Sequence, residues 1–315
     1  MPMMHVKKLK KYQPDVVTLD TDMPKMDGLS FLENLMRAAP LPVVMIASQT
    51  KQQANEAVRA LSLGAVDFIY KPENNFVSEF KKIAPVIIRR VKSAAESNVI
   101  YEPLLAEHRK AVGLKLTSEQ QQKKLIAIGA STGGTETIRS LLKDLPDNLP
   151  AIVIAQHMPA SFTAAFAESL SQDLSFPVHE AVDLMTLEPG HIYIAPGGRH
   201  LKIKRRGKQY QCQLYTEIEG VTFKPSVDVL FGSVARACGR DAVGIILTGM
   251  GSDGAEGLKL MKEQGGFTVA QDQESSVVWG MAGSAVKLGA AVRIAGLREI
   301  AGEVVEYLMS NKASL

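Results

Sequence analysis

The chain has 315 residues, 46% hydrophobic and 6% aromatic, with 36 lysines and arginines against 33 acidic residues for a formal net charge of +3. That length suits about two domains, each with its own core, and the charge is too small to argue for nucleic-acid binding. No run approaches the roughly twenty apolar residues of a membrane span, the start is not that of a signal peptide, and Cys212 and Cys238 lack metal-ligand spacing, so a cytoplasmic protein with reduced thiols and no membrane insertion is expected.

In chain order, Lys7, Lys8, Lys10 and Lys11 read as a solvated helix face. Next come Pro14-Asp-Val-Val-Thr-Leu-Asp20-Thr-Asp-Met-Pro-Lys-Met-Asp-Gly28, Pro42-Val-Val-Met-Ile46 and Gly64-Ala-Val-Asp-Phe-Ile-Tyr-Lys71-Pro72. These segments resemble the middle and end of a response-regulator receiver domain. The resemblance implies a flavodoxin-like fold, with Asp20 as phosphoacceptor at the end of that fold's third strand, Lys71 as the lysine that contacts the phosphoryl group, and a chemotaxis histidine kinase as partner. It begins late, inside what would be the second helix, so the first strands and the paired acidic residues that hold Mg²⁺ have no counterpart. Ala47 stands where the family has Ser or Thr, with Ser48 one position later. Residues 1–92 are therefore expected to form a partial receiver domain, a remnant or the product of a mis-set start site, that does not switch by Mg²⁺-dependent phosphorylation. In the strand order of such sheets, Val16-Val-Thr-Leu19 would become an edge with unpaired backbone groups.

Lys81 to Lys92 reads as a helix, with Ile83, Val86, Ile87 and Val91 at helical spacing. Residues 93–123 are mostly polar and suit a linker; residues 124–315 make the second domain. That domain opens with Leu125-Ile-Ala-Ile-Gly-Ala-Ser-Thr-Gly-Gly134, an apolar run that reads as a buried parallel strand. Gly129-x-Ser131-x-Gly133 permits a tight strand-to-helix turn that exposes the serine hydroxyl. The same loop could instead cradle a phosphate at a helix N-terminus.

Two further runs, Ala151-Ile-Val-Ile-Ala-Gln156 and Ala242-Val-Gly-Ile-Ile-Leu247, deliver His157-Met-Pro159 and Thr248-Gly-Met-Gly-Ser-Asp-Gly254 to their C-terminal ends. In a parallel sheet all three ends meet at the edge where ligands bind, within reach of one another. A serine nucleophile needs a base to take its proton and a carboxylate to orient that base, and Ser131, His157 and Asp253 supply these types. Their order along the chain differs from the Ser, Asp, His order of α/β-hydrolases.

Between these runs, Gly190-His-Ile-Tyr-Ile-Ala195, His200-Leu-Lys-Ile-Lys204 and Tyr210-Gln-Cys-Gln-Leu-Tyr215 alternate as hairpin strands. They predict an antiparallel hairpin addition to a doubly wound, mainly parallel α/β sheet. Lys202, Lys204, Arg205, Arg206 and Lys208 make a basic hairpin tip, either solvated or able to steer an acidic partner. His5, His108, His179 and His191 read as structural or surface residues. Arg199 and His200, after the turn at Pro196-Gly-Gly, are candidates for substrate contact.

GASTGG at 129–134, AQHMPASFTAAFAESL at 155–170, APGGRHL at 195–201, PSVDVLF at 225–231 and ILTGMGSDGAEGL at 246–258 together resemble the catalytic domain of the chemotaxis protein-glutamate methylesterase family, CheB. The resemblance runs over about residues 123–307. It implies Ser131 as nucleophile, His157 as general base and then acid, and Asp253 as the orienting carboxylate. It also implies hydrolysis of glutamate methyl esters, and deamidation of glutamines, on methyl-accepting chemotaxis receptors. Catalysis of this kind calls for no cofactor. The backbone N–H groups of Thr132 and Met250 are the candidate oxyanion donors. Gly280-Met-Ala-Gly departs from the family's Gly-Met-Pro, so Ala282 is expected to loosen that loop slightly. A non-catalytic receptor-binding module and a phosphate-binding α/β protein are the competing readings.

Overall fold

A computed structural model describes residues 9, 11–21, 23, 28–48, 50–71, 76–98 and 116–310, in two compact units, Met1–Ala106 and Glu107–Leu315. His5, His108, Lys7, Lys8 and Lys10 lie outside the described residues. No described helix is long and apolar enough to cross a membrane.

In the first unit β1 (Val17–Asp20), α1 (Gly28–Ala38), β2 (Val43–Ala47), α2 (Lys51–Ser62), β3 (Asp67–Tyr70) and α3 (Phe76–Ala95) alternate. Parallel strands in the order β1-β2-β3 form the sheet. Strand β2 is central and apolar, with Val43, Val44, Met45 and Ala47 fully buried, as a strand covered on both faces must be. Helix α2 begins at Thr50, whose hydroxyl accepts from the Gln53 N–H at 3.3 Å. It buries Ala54, Ala57, Val58 and Leu61, the i, i+3, i+4, i+7 spacing of an amphipathic helix. Among the described residues β1 pairs with β2 alone, with Thr18 exposed and Leu19 buried.

Helix α3 is longer than the periodicity predicts, starting before Lys81 and running to Ala95 through Pro85. Val86 and Ile88 on it are 38% and 54% exposed, so its apolar spacing marks a helix without marking a buried face. Of the expected linker, residues 93–95 continue this helix and Ser118–Lys123 form a short helix, α4, closed by a reciprocal cap between Thr117 and Gln120. Residues 99–115 lie outside the described set.

The second unit runs β4 (Leu125–Ala130), α5 (Gly134–Asp144), β5 (Ala151–Gln156), α6 (Ala160–Asp173), β6 (Val178–Glu180), β7 (Ile192–Ile194), β8 (His200–Arg206), β9 (Gln209–Tyr215), α7 (Val227–Cys238), β10 (Ala242–Ile246), α8 (Ala255–Glu263), β11 (Phe267–Gln271), α9 (Met281–Lys287), β12 (Arg293–Ala295) and α10 (Leu297–Met309). Seven strands form one parallel sheet in the order β12-β11-β10-β4-β5-β7-β6. From β4 the chain winds towards β5 on one side, and later returns to lay β10 on the other. The gap between β4 and β10 is thus the topological switch point, where an open α/β sheet leaves a crevice beyond its strand ends. Every residue of β4, β5, β10 and β11 is buried.

Two expectations need correction. Residues 192–194 are not a hairpin strand: β7 pairs in parallel with β5 and β6 inside the main sheet. The alternation does not mark a solvent face here: Tyr193 is 1% exposed, and its hydroxyl accepts from the Glu188 N–H at 2.9 Å. The antiparallel hairpin is β8 with β9, a separate two-stranded ribbon whose Leu201, Ile203, Tyr210 and Cys212 are buried and which packs against α7. Ala282 does not loosen a loop either. It is buried in the first turn of α9.

Candidate active site

The switch-point crevice collects the three predicted chemical groups. Ala130 and Gln156 are register partners at the ends of β4 and β5, so Ser131 and His157 follow on neighbouring strands. The loop after β10 closes from the other side, with Ser131 N donating to Thr248 O at 3.0 Å and Leu247 N to Gly129 O at 2.9 Å.

The glycines around Ser131 are required by what surrounds them. A Cβ on Gly129 would overlap Val227 Cγ1, and one on Gly133 would lie 2.6 Å from Val277 Cβ. Gly133 also has φ +75°, as the residue that turns the chain into α5, a conformation costly for side-chain-bearing residues. Across the crevice, a Cβ on Gly249 would come 2.8 Å from Ser131 Cβ. Small residues thus let two strand ends meet around the serine.

His157 is 9% exposed and held on two sides. Its Nε2 lies 2.7 Å from Asp253 Oδ2, and its ring stacks on Phe223 with centroids 4.6 Å apart and 7° between planes. Asp253 sits over the first turn of α7. It accepts from Ser226 Oγ at 2.8 Å, Val227 N at 2.7 Å and Asp228 N at 3.1 Å, and the helix N-terminus adds a favourable field. Burial works to raise the Asp253 pKa, but the His157 hydrogen bond and charge and the two backbone N–H groups outweigh it and hold the carboxyl below its ordinary range. The neighbouring Asp228 is shifted up, by burial first and by the Asp253 charge, against the Gly257 N–H from which it accepts at 2.7 Å. An ionised Asp253 takes the Nε2–H of His157 and leaves Nδ1 as the basic nitrogen. His157 is thus buried and oriented at the strand end next to the one that carries Ser131.

Main-chain geometry completes the site. Thr248 Oγ1 lies 3.1 Å from Thr132 O and accepts from Val278 N at 2.9 Å, while Thr248 N donates to Gln271 Oε1 at 2.8 Å. Thr132 and Met250 lie on opposite lips of the crevice, one after each strand. Gly134 N donates to Ser131 O at 2.8 Å. With Ser131 N given to Thr248, two amides that a phosphate cradle would turn outward are used internally.

The remaining candidates divide. His200 starts β8 fully buried, with no hydrogen-bond partner at either ring nitrogen among the described residues. Burial, then the Lys224 charge, lowers its pKa, against the opposite pull of Asp253. Arg199 is exposed, so the turn brings only one of the pair towards the site. His179 and His191 bond each other at 3.0 Å on β6 and before β7. Sequence reading missed Gln156, Phe223 and Ser226. Of these, Ser226 carried a signal: a serine just before an apolar run marks a helix start.

In the first unit Lys71 Nζ lies 2.8 and 2.6 Å from the two Asp20 oxygens. Ala47 ends β2, and the Ser48 hydroxyl lies 3.2 Å from Thr50 Oγ1 at the start of α2. Among the described residues no group of three or more His, Cys, Asp or Glu side chains could hold a metal ion.

These features agree with comparison to known proteins. The family model for the CheB methylesterase matches residues 126–304, and that for the response regulator receiver domain matches residues 3–78. A protein-glutamate methylesterase/protein-glutamine glutaminase of Xanthomonas oryzae pv. oryzae is 46% identical over 313 residues, covering 95% of this chain and 86% of the relative. That of Escherichia coli O157:H7 is 44% identical over 306 residues, covering 97% and 86%. The crystal structure of the Thermotoga maritima CheB methylesterase catalytic domain superposes with a TM-score of 0.56 at 34% identity, over 58% of this chain and 98% of that one. A serine on a glycine-flanked turn at the switch point, a histidine held to a carboxylate over a helix N-terminus, and relatives matching along nearly the whole length lead to one conclusion: the chain belongs to the CheB methylesterase family, with a receiver domain ahead of its catalytic domain.

Proposed function

We propose that this chain is a protein-glutamate methylesterase and protein-glutamine glutaminase that acts on the cytoplasmic helices of methyl-accepting chemotaxis receptors. The observation that carries the reading is the 2.7 Å bond between His157 and Asp253 beside a serine held on a glycine-flanked turn. Ser131 attacks the γ-ester carbonyl as His157 takes its proton. Methanol leaves with that proton, and water, activated by the same imidazole, releases the glutamate carboxylate. With glutamine the leaving group is ammonia and the acyl-enzyme is the same.

The backbone N–H groups of Thr132 and Met250 receive the oxyanion, each typically worth roughly 10²–10³ in rate. Of the two candidates for substrate contact, the buried His200 is the better supported and the exposed Arg199 the less. The chemistry draws on side chains and main chain and calls on no cofactor. The protein works in the cytoplasm, where its substrate helices lie.

Asp20 is proposed not to act as a Mg²⁺-dependent switch, a reading supported by the Lys71 ammonium that lies against both its oxygens. Stoichiometric, Mg²⁺-dependent phosphorylation of Asp20 by a small phosphodonor would overturn this, and would restore a histidine kinase as partner.

Methanol release from a methylated receptor cytoplasmic fragment tests the function. The full chain is expected to turn over and Ser131→Ala to be inactive while still binding the fragment. Binding without Ser131-dependent turnover in the wild type would replace the enzyme by a receptor-binding module.

A further inference from the structure

Gln156 is the last residue of β5 and is 3% exposed. Its Nε2 donates to Ser131 O at 2.8 Å. The amide's orientation follows from chemistry, since only the NH₂ end can face a carbonyl oxygen. Its other end, Oε1, is buried without a hydrogen-bond partner among the described residues. A methionine would occupy the same volume without donating to Ser131 O.

What Gln156 holds is a peptide plane. Ser131 O belongs to the peptide whose other end is the Thr132 N–H, and a trans peptide is planar with N–H and C=O opposed. Fixing the oxygen therefore fixes the direction of the N–H. Gly134 N is the second donor to the same oxygen, at 2.8 Å. The peptide that carries the Met250 N–H is held in the same way: its oxygen, Gly249 O, accepts from Gly280 N at 3.1 Å and Met281 N at 2.8 Å at the start of α9. Each oxyanion donor thus sits on a plane clamped at its far end by two hydrogen bonds. Three of the four clamps are main chain. The fourth is Gln156.

The surroundings are shaped for this amide. A Cβ on Gly134 would overlap Gln156 Oε1 and come 2.6 Å from Ala130 Cβ, so glycine at 134 leaves room for the glutamine as well as for the turn.

We propose that Gln156 is a positioning residue for the oxyanion hole: it aims the Thr132 N–H by clamping the Ser131–Thr132 peptide from behind. The proposal rests on the serine-hydrolase reading above. Two full-length variants test it. Gln156→Met keeps the volume and removes the donor; Gln156→Glu keeps the shape and sets a carboxylate against the carbonyl. For methanol release from a glutamyl methyl-ester peptide, each is expected to lower kcat tenfold or more with KM unchanged, some fraction of the roughly 10²–10³ that a whole donor supplies.

A second readout isolates the oxyanion. A peptide trifluoromethyl ketone adds to Ser131 as a hemiketal whose hydroxyl titrates, and its fluorine resonance follows that titration. Weakening the donor is expected to raise the hemiketal pKa by about one unit, the equivalent of a tenfold effect. Wild-type kcat in both variants overturns the proposal. So does a fall in activity with the hemiketal pKa unmoved, which would mark Gln156 as structural. Absence of Ser131-dependent turnover in the wild type defeats the underlying reading instead, and the proposal with it.

Discussion

The hydroxyl of Ser226 serves two masters: it donates to Asp253 Oδ1 at 2.8 Å and accepts from Val229 N at 3.3 Å. One side chain therefore caps α7 and helps seat the carboxylate that orients His157. Removing it should act on both. Ser226→Ala is expected to cost about 0.5–2 kcal/mol of stability through the lost cap and to lower kcat with KM preserved. Urea unfolding and methanol release, measured on the same preparation, separate the two losses; a stability loss without any fall in kcat would show that Asp253 does not need this donor.

The oxyanion assignment makes Met250 a main-chain participant. Met250→Ala keeps its N–H and should retain most of the activity, whereas Ser131→Ala should abolish turnover. Equal losses in the two variants, both folded by circular dichroism, would remove Met250 from the site.

Phe223 is 37% exposed yet stacks flat on the His157 imidazole. A stacked ring pair contributes about 0.5–1.5 kcal/mol beyond its buried area, enough to hold the base in one rotamer. Phe223→Ala is expected to lower kcat by up to about tenfold by that energy, while Phe223→Tyr leaves it near the wild-type value. Steady-state kinetics of the two variants decide it.

Gly129 supports the elbow by absence of bulk. In Gly129→Ala the new methyl would overlap Val227 and stand 3.0 Å from Phe231 Cζ, and overpacking of this kind costs about 1–3 kcal/mol. Thermal unfolding should show the loss. Because Val227 N also binds Asp253, activity should fall by more than the stability change alone would give at a temperature where both proteins are folded.

Cys212 and Cys238 are buried free thiols whose pKa burial pushes up from 9.0 to about 12. Their folded pKa lies above the unfolded one, so their stabilising contribution is complete below pH 9 and is lost as pH rises from 9 towards 12. The unfolding free energy from urea titrations is expected to fall over that window, by up to about 1.4 kcal/mol per pH unit per thiol, and less steeply once both are replaced by alanine. In the native protein at pH 8 neither thiol should react with a thiol reagent until urea is added.

The strand-end chemistry was legible from sequence because the apolar runs at Leu125, Ala151 and Ala242 are fully buried parallel strands, and such runs announce both themselves and their exits. Gln156 was not legible. A polar residue ending a strand looks like any other, and its target, Ser131 O, is brought to it only by the register that pairs Ala130 with Gln156. Phe223 sits in an irregular segment with no periodicity to read. The β7 error has a similar origin: three residues are too few for a period of two to distinguish a parallel core strand from a hairpin arm, and only the pairing partner decides.

The switch point between β4 and β10 also bears on how the molecule comes into being. Thr248 and Thr132 are in contact although 116 positions apart, and everything from Met250 to Asp253 arrives with the later of the two strands. A chain still emerging from the ribosome carries Ser131 and His157 on β4 and β5 before Asp253 and Met250 have been made, and those two reach the crevice only when β10 docks. Non-local pairings of this kind form late and slowly. The proposed site therefore stays incomplete until the chain has passed Asp253, and partly folded forms that stop short of it carry Ser131 without its partners.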